Sequence, residues 1–442
     1  MSGGVQRTSG GGSRSLVRAL GQMVGRSSGS RLTRLRALTA ITAVLAVLFG
    51  VVAALGVGRR DDAVGEVRVA AEQLIALQGV RVSAVRADAV ASSSYLVGGQ
   101  EDPAQRQDYL AQIAASSDGL IEIANRVDSE AAASLAQASA SLSKYVGLVE
   151  QARSNNRLGF PVGAAYQRQA NALMSSDVDG EVDIVDSLAS AEAVQRRLVN
   201  DGLARAHRAG ALLNVAGWLL FILIALGGAW LATAFKRRVN LPLAVAAGLL
   251  LLTLVFGASI QGSAMSSADD AVAGSLTIAD LAAQARSAGY DARSQESLTL
   301  INRGNGQANE TRWVTAANTA QNALDRLCDL RNNGCNLRND FLAYDNAHTA
   351  LRIIDDGGDW DAAVAAVRSS DAAPADADVT GTFDAFAADS ETLVASSAGD
   401  AAQGLADAGS GLGGLRIVVF LVGLAVAALS IVGYGQRSRE YR

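Results

Sequence analysis

The sequence predicts an all-α membrane protein with four transmembrane helices and two tandem extracytoplasmic four-helix bundles. Three observations carry that expectation. Four apolar runs, Leu38–Val57, Leu212–Phe235, Leu241–Ile260 and Leu415–Tyr434, hold a single charged residue, Arg416. Each is long enough for a hydrocarbon core of about 30 Å, which takes about 20 helical residues. Half of the residues are hydrophobic but only 5% are aromatic, alanine makes up the difference, and there are four prolines in 442 residues. Alanine is the strongest helix former and proline the strongest breaker. Finally, the polar stretches carry apolar residues at steps of three and four, the period of a one-sided helix.

In order, the chain divides into a basic disordered tail (1–37), a span (38–58), a polar segment (59–209), a span (210–235), a loop (236–240), a span (241–261), a second polar segment (262–413), a span (414–435) and a tail (436–442). The same unit, span–polar segment–span, is written twice. Basic residues orient it. Arg7, Arg14, Arg18, Arg26, Arg31, Arg34 and Arg36 precede the first span without an acid. Lys236, Arg237 and Arg238 join spans two and three, and Arg437, Arg439 and Arg442 follow span four. The positive-inside rule puts all three in the cytoplasm, with both termini there and both polar segments outside. Arg59 and Arg60 oppose this at the outer end of span one, followed by Asp61 and Asp62. A cleavable signal peptide is the alternative for span one, but its apolar run is long and no A-x-A site follows.

In the first polar segment, Leu74, Leu77, Val80, Ala84, Ala87 and Ala91 form one stripe that Gly98-Gly99 ends. Asp102-Pro103 starts the next helix, marked by Tyr109, Ile113, Ser116 and Leu120. Leu135, Ala138, Leu142, Tyr145 and Val149 give a third, Ala164–Met174 a short one, and a last helix from about Val182 runs into span two. The second segment repeats the order. Ile278, Leu281, Ala285, Ala288 and Ala292 mark its first helix, Arg303-Gly304-Asn305-Gly306 the break, and Trp313 stands roughly where Tyr109 did. Tyr344 and Leu351 lie on the third helix, Gly357-Gly358-Asp359-Trp360 opens a short one, and the last begins near Val379. A long coiled-coil rod is the alternative; the glycines and loops at matching places argue against it. Helices continuous with spans can convey a small piston or rotation across a membrane.

Cys328 and Cys335 flank Asp-Leu-Arg-Asn-Asn-Gly, a turn sequence. In an oxidising compartment they make a disulfide; two free thiols are the alternative. His207 and His348 lie far from them and from each other, so a metal site is not expected.

A span, a four-helix extracytoplasmic bundle and a second span resemble the sensing half of bacterial chemoreceptors, which act as parallel homodimers. Four spans and two bundles resemble such a dimer fused into one chain. The stretch Asp291-Ala292-Arg293-Ser294-Gln295-Glu296-Ser297-Leu298-Thr299-Leu300-Ile301-Asn302-Arg303-Gly304, with Tyr344, His348 and Asp355-Asp356-Gly357-Gly358-Asp359-Trp360, is similar to a family of actinobacterial four-span membrane proteins. Members are encoded with a glutamine-binding lipoprotein and the soluble serine/threonine kinase G. The resemblance implies a plasma-membrane signal transducer. It would relay extracytoplasmic aspartate, glutamate or glutamine availability, through a solute-binding lipoprotein, to a cytosolic kinase that adjusts nitrogen and carbon metabolism. A direct sensor, with its ligand between its own bundles, is the alternative. A transporter accessory subunit is a further one, opposed by spans without buried charge or broken helices.

No P-loop, HExxH, kinase or nucleophile-elbow motif is present, so neither an enzyme nor a cofactor is expected. Residues 59–209 hold 15 basic and 20 acidic side chains and residues 262–412 hold 9 and 22, which makes nucleic acid an unsuitable partner. The basic N-terminal tail suits anionic lipid or an acidic kinase surface. The chemoreceptor likeness points to Arg81 and Arg86, and Arg293 with Glu296, as ligand candidates, since guanidinium forks fit carboxylates. Solvated or paired arginines are the plainer reading. Gln295 and Asn302 can add amide contacts. Gly98, Gly99, Arg303 and Gly304 mark bundle tips where a binding protein would dock. Asn309-Glu310-Thr311 reads as a helix start rather than a glycosylation site. The acids Asp355, Asp356, Asp359 and Asp361 lack EF-hand spacing.

Overall fold

The computed structural model describes residues 31–439 apart from 97–100, 160, 176–181, 236–239, 332–334, 369–373 and 375. The basic residues of the first thirty positions, the 236–238 cluster and the tip glycines Gly98 and Gly99 therefore lie outside the described residues. Among those described, all regular structure is helical. Helix α1 covers Arg31–Tyr95, α2 Pro103–Ala124, α3 Ser129–Arg157, α4 Val162–Met174 and α5 Ile184–Ala209. Then come α6 (Ala211–Phe235), α7 (Leu241–Asp270), a π-helical turn (Ala271–Leu276), α8 (Thr277–Ile301) and α9 (Gln307–Leu330). The chain ends with α10 (Asn336–Asp356), α11 (Trp360–Arg368), α12 (Val379–Gly409) and α13 (Leu412–Arg439). Four helical stretches, Arg36–Tyr95, Ile184–Ala232, Leu241–Ile301 and Val379–Gln436, are long and apolar enough to cross a membrane. At 1.5 Å per residue, the 65 residues of α1 far exceed a hydrocarbon core. Only the apolar part of each stretch matches that thickness, and the polar remainder belongs elsewhere. Helix α1 begins at Arg31, inside the stretch expected to be a tail, because Arg31–Ala37 contains neither glycine nor proline.

The chain forms two compact units. One contains the apolar stretches, with boundaries at Gly58, Gly210, Ile260 and Gly413. Inside it α1 meets α13 at glycines: a Cβ on Gly423 would lie 2.6 Å from Gly50 Cα and 2.9 Å from the Ala46 carbonyl oxygen. Only the absence of side chains on both helices permits that approach, the small-residue packing used where lipid supplies no hydrophobic drive. Ser430 and Ala427, on the same helix, are buried.

The other unit contains Arg59–Ala209 and Gln261–Leu412. The expected stripes pack as stripes: Leu135, Ala138, Leu142, Tyr145 and Val149 are all buried on α3. Asp102 caps α2 by accepting from the Ala104 amide at 2.9 Å, with Pro103 at the first helical position. Gly358, at φ +90°, turns the chain between α10 and α11, and Asp359 accepts from the Ala362 amide at 3.1 Å. Cys328 and Cys335 form a disulfide across the α9–α10 turn, their Cα atoms 5.4 Å apart. One hydrophobic cluster takes Leu77, Tyr109, Tyr145 and Leu188 from the first segment and Leu281, Trp313, Phe341 and Phe386 from the second. Helix α8 is buried on every side from Leu281 to Leu300, which is where the two segments meet. Of the two residues that opposed the charge rule, Arg59 is exposed, while Arg60 is buried and donates to the carbonyls of Ala206 (3.0 Å) and Gln261 (3.3 Å).

Residues 202 places apart recur as counterparts. Ser92 Oγ and Ser294 Oγ lie 3.1 Å apart, and Gln78 donates to Asp280. Gly202 on α5 accommodates Ala63 and Val67 of α1, as Gly404 on α12 accommodates Ser267 and Ala271.

Candidate functional site

A cavity of about 340 Å³ opens between α1 and α5 of the first segment and α8 and α9 of the second. Its charged wall is built by spacing. On α1, Arg81 continues the Leu77–Ala84 side, and on α5, Glu192 falls on the Leu188–Val199 stripe, so both charges face inward. Arg81 is 8% exposed and Glu192 is fully buried. Arg81 Nε stands 3.3 Å from Glu192 Oε1, yet neither atom makes a hydrogen bond, and Arg81 Nη2 has none either. Arg196 is firmly held by contrast: it donates to Glu192 at 2.9 Å and to both oxygens of Asp280, at 2.7 and 3.1 Å. Asp280 also accepts from Gln78, so four side chains join α1, α5 and α8. Burial pushes the Glu192 carboxyl up, against the opposing pull of Arg81 and Arg196.

The opposite wall comes from α8 and α9, through Asp291, Gln295 and Arg312. Gln295 is fixed at both ends of its amide. Its Nε2 donates to Asn171 at 3.2 Å and Asp291 at 3.3 Å, and its Oε1 accepts from Asn309 at 2.9 Å. Asn309 in turn accepts from Asn302 (2.6 Å), which accepts from the exposed Arg168 (2.8 Å). A run of amides thus leads from the cavity wall to the end of α8.

Behind that wall lies a polar seam. The Asp88 carboxylate accepts from Ser294 at 2.5 Å and Asn171 at 2.7 Å, while Gln167 donates to Ser92. Every member is buried. Burial raises the Asp88 carboxyl, and the hydrogen bonds from Ser294 and Asn171 pull the other way.

A second charged cluster sits in the core of the second segment. Glu296 pairs with Arg293 and accepts from His348 Nδ1 at 2.8 Å, and His348 Nε2 reaches Glu310 at 3.2 Å. Arg293 also donates to Thr380 Oγ1 and the Val367 carbonyl. Burial disfavours both charged forms, but the partners outweigh it: Glu296 is held below its ordinary value and His348 above.

Of the residues singled out from the sequence, Arg81 and Gln295 line the cavity. Arg86 pairs with Asp108 at 3.0 Å, and its guanidinium carbon lies 6.0 Å from the Tyr290 ring centroid. Arg293 and Glu296 serve each other in the core. Arg303, at φ +32°, lays its guanidinium over Trp360 at 3.6 Å beside Gly304. Among the described residues no group of three or more His, Cys, Asp or Glu is arranged to hold a metal ion. Glu192, Arg196, Asp291 and Arg312 were missed. Glu192 did leave a signal, a charge on the apolar stripe of an amphipathic helix.

No curated protein and no solved structure matches the chain. Residues 63–201 match the model of a family described as an actinobacterial sensor domain (Sensor_actino). The first polar segment, which supplies Arg81, Glu192 and Arg196 to the cavity, is thus similar to an actinobacterial sensor domain.

Proposed function

We propose that this chain is a plasma-membrane signal transducer that detects a small acidic ligand, an amino acid such as aspartate, glutamate or glutamine, in the cavity walled by Arg81 and Asp291. The observation that carries this reading is the cavity itself, built from both polar segments and lined by Arg81, a buried guanidinium with unmade hydrogen bonds that belongs to the stretch similar to a sensor domain. A carboxylate fits Arg81, and Asp291 supplies an acceptor for an ammonium group. In this reading the polar unit is outside the cell and both termini are in the cytoplasm, which the basic flanks favour. Serines 202 positions apart at the seam favour two four-helix halves arranged as a parallel dimer within one chain. The chain performs no chemistry of its own in this reading, and its output goes to a cytosolic serine/threonine kinase. The test is calorimetric titration of the full chain in lipid nanodiscs with aspartate, glutamate and glutamine. One of them binds with a Kd in the micromolar range, and Arg81→Ala abolishes the heat; silence from all three in wild type refutes direct sensing.

A second reading has one observation in its favour. The amides from Gln295 to Asn302 end at exposed Arg168, near Arg303 stacked on Trp360. That end of α8 suits docking by a ligand-loaded lipoprotein. Crosslinking in membranes from Arg168→Cys, followed by identification of the captured proteins, recovers a solute-binding lipoprotein if the relay operates.

A further inference from the structure

We infer that Glu192 is a built-in occupant of the cavity's anion position, and that an incoming carboxylate takes Arg81 from it. The inference rests on the cavity being a ligand site and adds how that site is kept empty, selective and connected.

The two ion pairs of Glu192 are unequal. Toward Arg196 it accepts a hydrogen bond at 2.9 Å. Toward Arg81 it offers only an unaligned approach of 3.3 Å, and the guanidinium keeps Nε and Nη2 without hydrogen bonds although the residue is 8% exposed. An unmade bond on a buried charge is costly, and a charge-assisted, bidentate one is among the strongest available. Both nitrogens are covered, so an acidic group improves on what Arg81 has only by displacing the Glu192 carboxylate that faces it. Glu192 is already tied to Arg196 and keeps a counter-ion when Arg81 leaves it. A neutral molecule gains nothing comparable, because displacing Glu192 without bringing a charge leaves Arg81 buried and alone. Glu192 thus sets specificity for anions.

The exchange also has a direction. Arg196 is the link from α5 to Asp280 on α8. Once Glu192 gives both oxygens to Arg196, the share of that guanidinium available to Asp280 falls. Occupancy of Arg81 is then felt as a looser tie between the last helix of the first segment and the first helix of the second.

The test uses the full chain in nanodiscs and acetate as the probe, at constant ionic strength set with chloride. Glu192→Gln removes the resident carboxylate. Its melting temperature is expected to climb and saturate with millimolar acetate, whereas wild type and the double variant Glu192→Gln/Arg81→Gln do not respond. Equal responses in all three, or none in Glu192→Gln, overturn the inference. Should Glu192→Gln not fold, Glu192→Asp, which retracts the carboxylate by one methylene, is read the same way. In calorimetry, aspartate or glutamate binds Glu192→Gln roughly tenfold tighter than wild type, the scale of one removed ion pair; weaker binding counts against competition. Acetate rescue without any amino-acid binding by wild type retains Glu192 as occupant and discards the proposed ligands. Amino-acid binding without acetate rescue does the reverse.

Discussion

Trp313 lies flat against His348, with ring centroids 3.6 Å apart and planes 8° from parallel. The imidazole stands between Glu296 and Glu310, which favour its charged form, and the indole donates to the Tyr344 hydroxyl at 3.2 Å. A cation on an aromatic face is favourable, most so when desolvated.

The His348 pKa in the folded chain stands above its ordinary value of 6.5. Its contribution to stability is therefore complete below about pH 6.5 and fades as pH rises through the folded value. Glu296 is depressed from 4.5, so its share is complete above that pH and fades on acidification. Thermal melts of wild type should show a stability maximum between these limits. His348→Gln should remove the alkaline decline and cost about 2 kcal/mol near neutrality, because Glu296 keeps Arg293 but loses the hydrogen bond from Nδ1. Tryptophan emission gives a local check: the wild-type minus His348→Gln difference rises as His348 deprotonates, and a flat difference refutes the stacked, charged pair.

Asp88 acts in the opposite sense to Glu296. Its carboxyl is raised by burial, so the folded chain binds a proton more readily than the unfolded one, and stability falls as pH climbs from the ordinary aspartate range. Asp88→Asn keeps an oxygen for Ser294 and Asn171 and presents an amide toward Tyr145. It should stabilise the chain by about 1 kcal/mol at pH 7. A loss of stability there would mean that the carboxylate is ionised and better served than its partners indicate.

Between α1 and α13 the two glycines are not equivalent. A Cβ on Gly423 meets Gly50 Cα at 2.6 Å, while one on Gly50 meets Gly423 Cα at 3.1 Å. Gly423→Ala should cost about 1–3 kcal/mol and Gly50→Ala less. Detergent-resistance melts of the purified variants rank them, and the reverse order would contradict the packing.

Cys328→Ser/Cys335→Ser opens a short loop. The chain-entropy relation for a loop this size gives about 2.5 kcal/mol. The loss should appear in melts and leave helix content unchanged, since α9 and α10 are held by Leu324, Leu327, Leu337 and Phe341 in the core. A drop in helical signal at low temperature would show that the staple holds the helices as well.

Much of this architecture can be read from residue order. Leu135 through Val149 announce α3, Asp102-Pro103 announce the start of α2, and the apolar runs, with Arg416 their single charge, announce the candidate spans. These are local signals, with period or composition legible within a few turns. Helix α8 hides its environment, because Arg286, Arg293, Gln295 and Glu296 look like a solvated face and are buried among partners from other helices. The cavity was legible only at Arg81 and Gln295. The partner of Arg81, Glu192, stands 111 positions away, and such a pairing has no period to betray it. The π turn at Ala271–Leu276 has a weak local signature, the pair Gly274-Ser275 inside a helix, and there Thr277 Oγ1 donates to the Val272 carbonyl five residues back.

The contact of Ser92 with Ser294 has a consequence for how this chain can change. Where two identical subunits meet, any substitution on the axis appears twice, facing itself, and a buried acid there would confront its own copy. Here the two serines are separate codons. Asp88 stands 202 positions before Tyr290, so the seam can carry an acid on one side and a phenol at the counterpart position on the other. One covalent chain frees the two faces of the seam to drift apart.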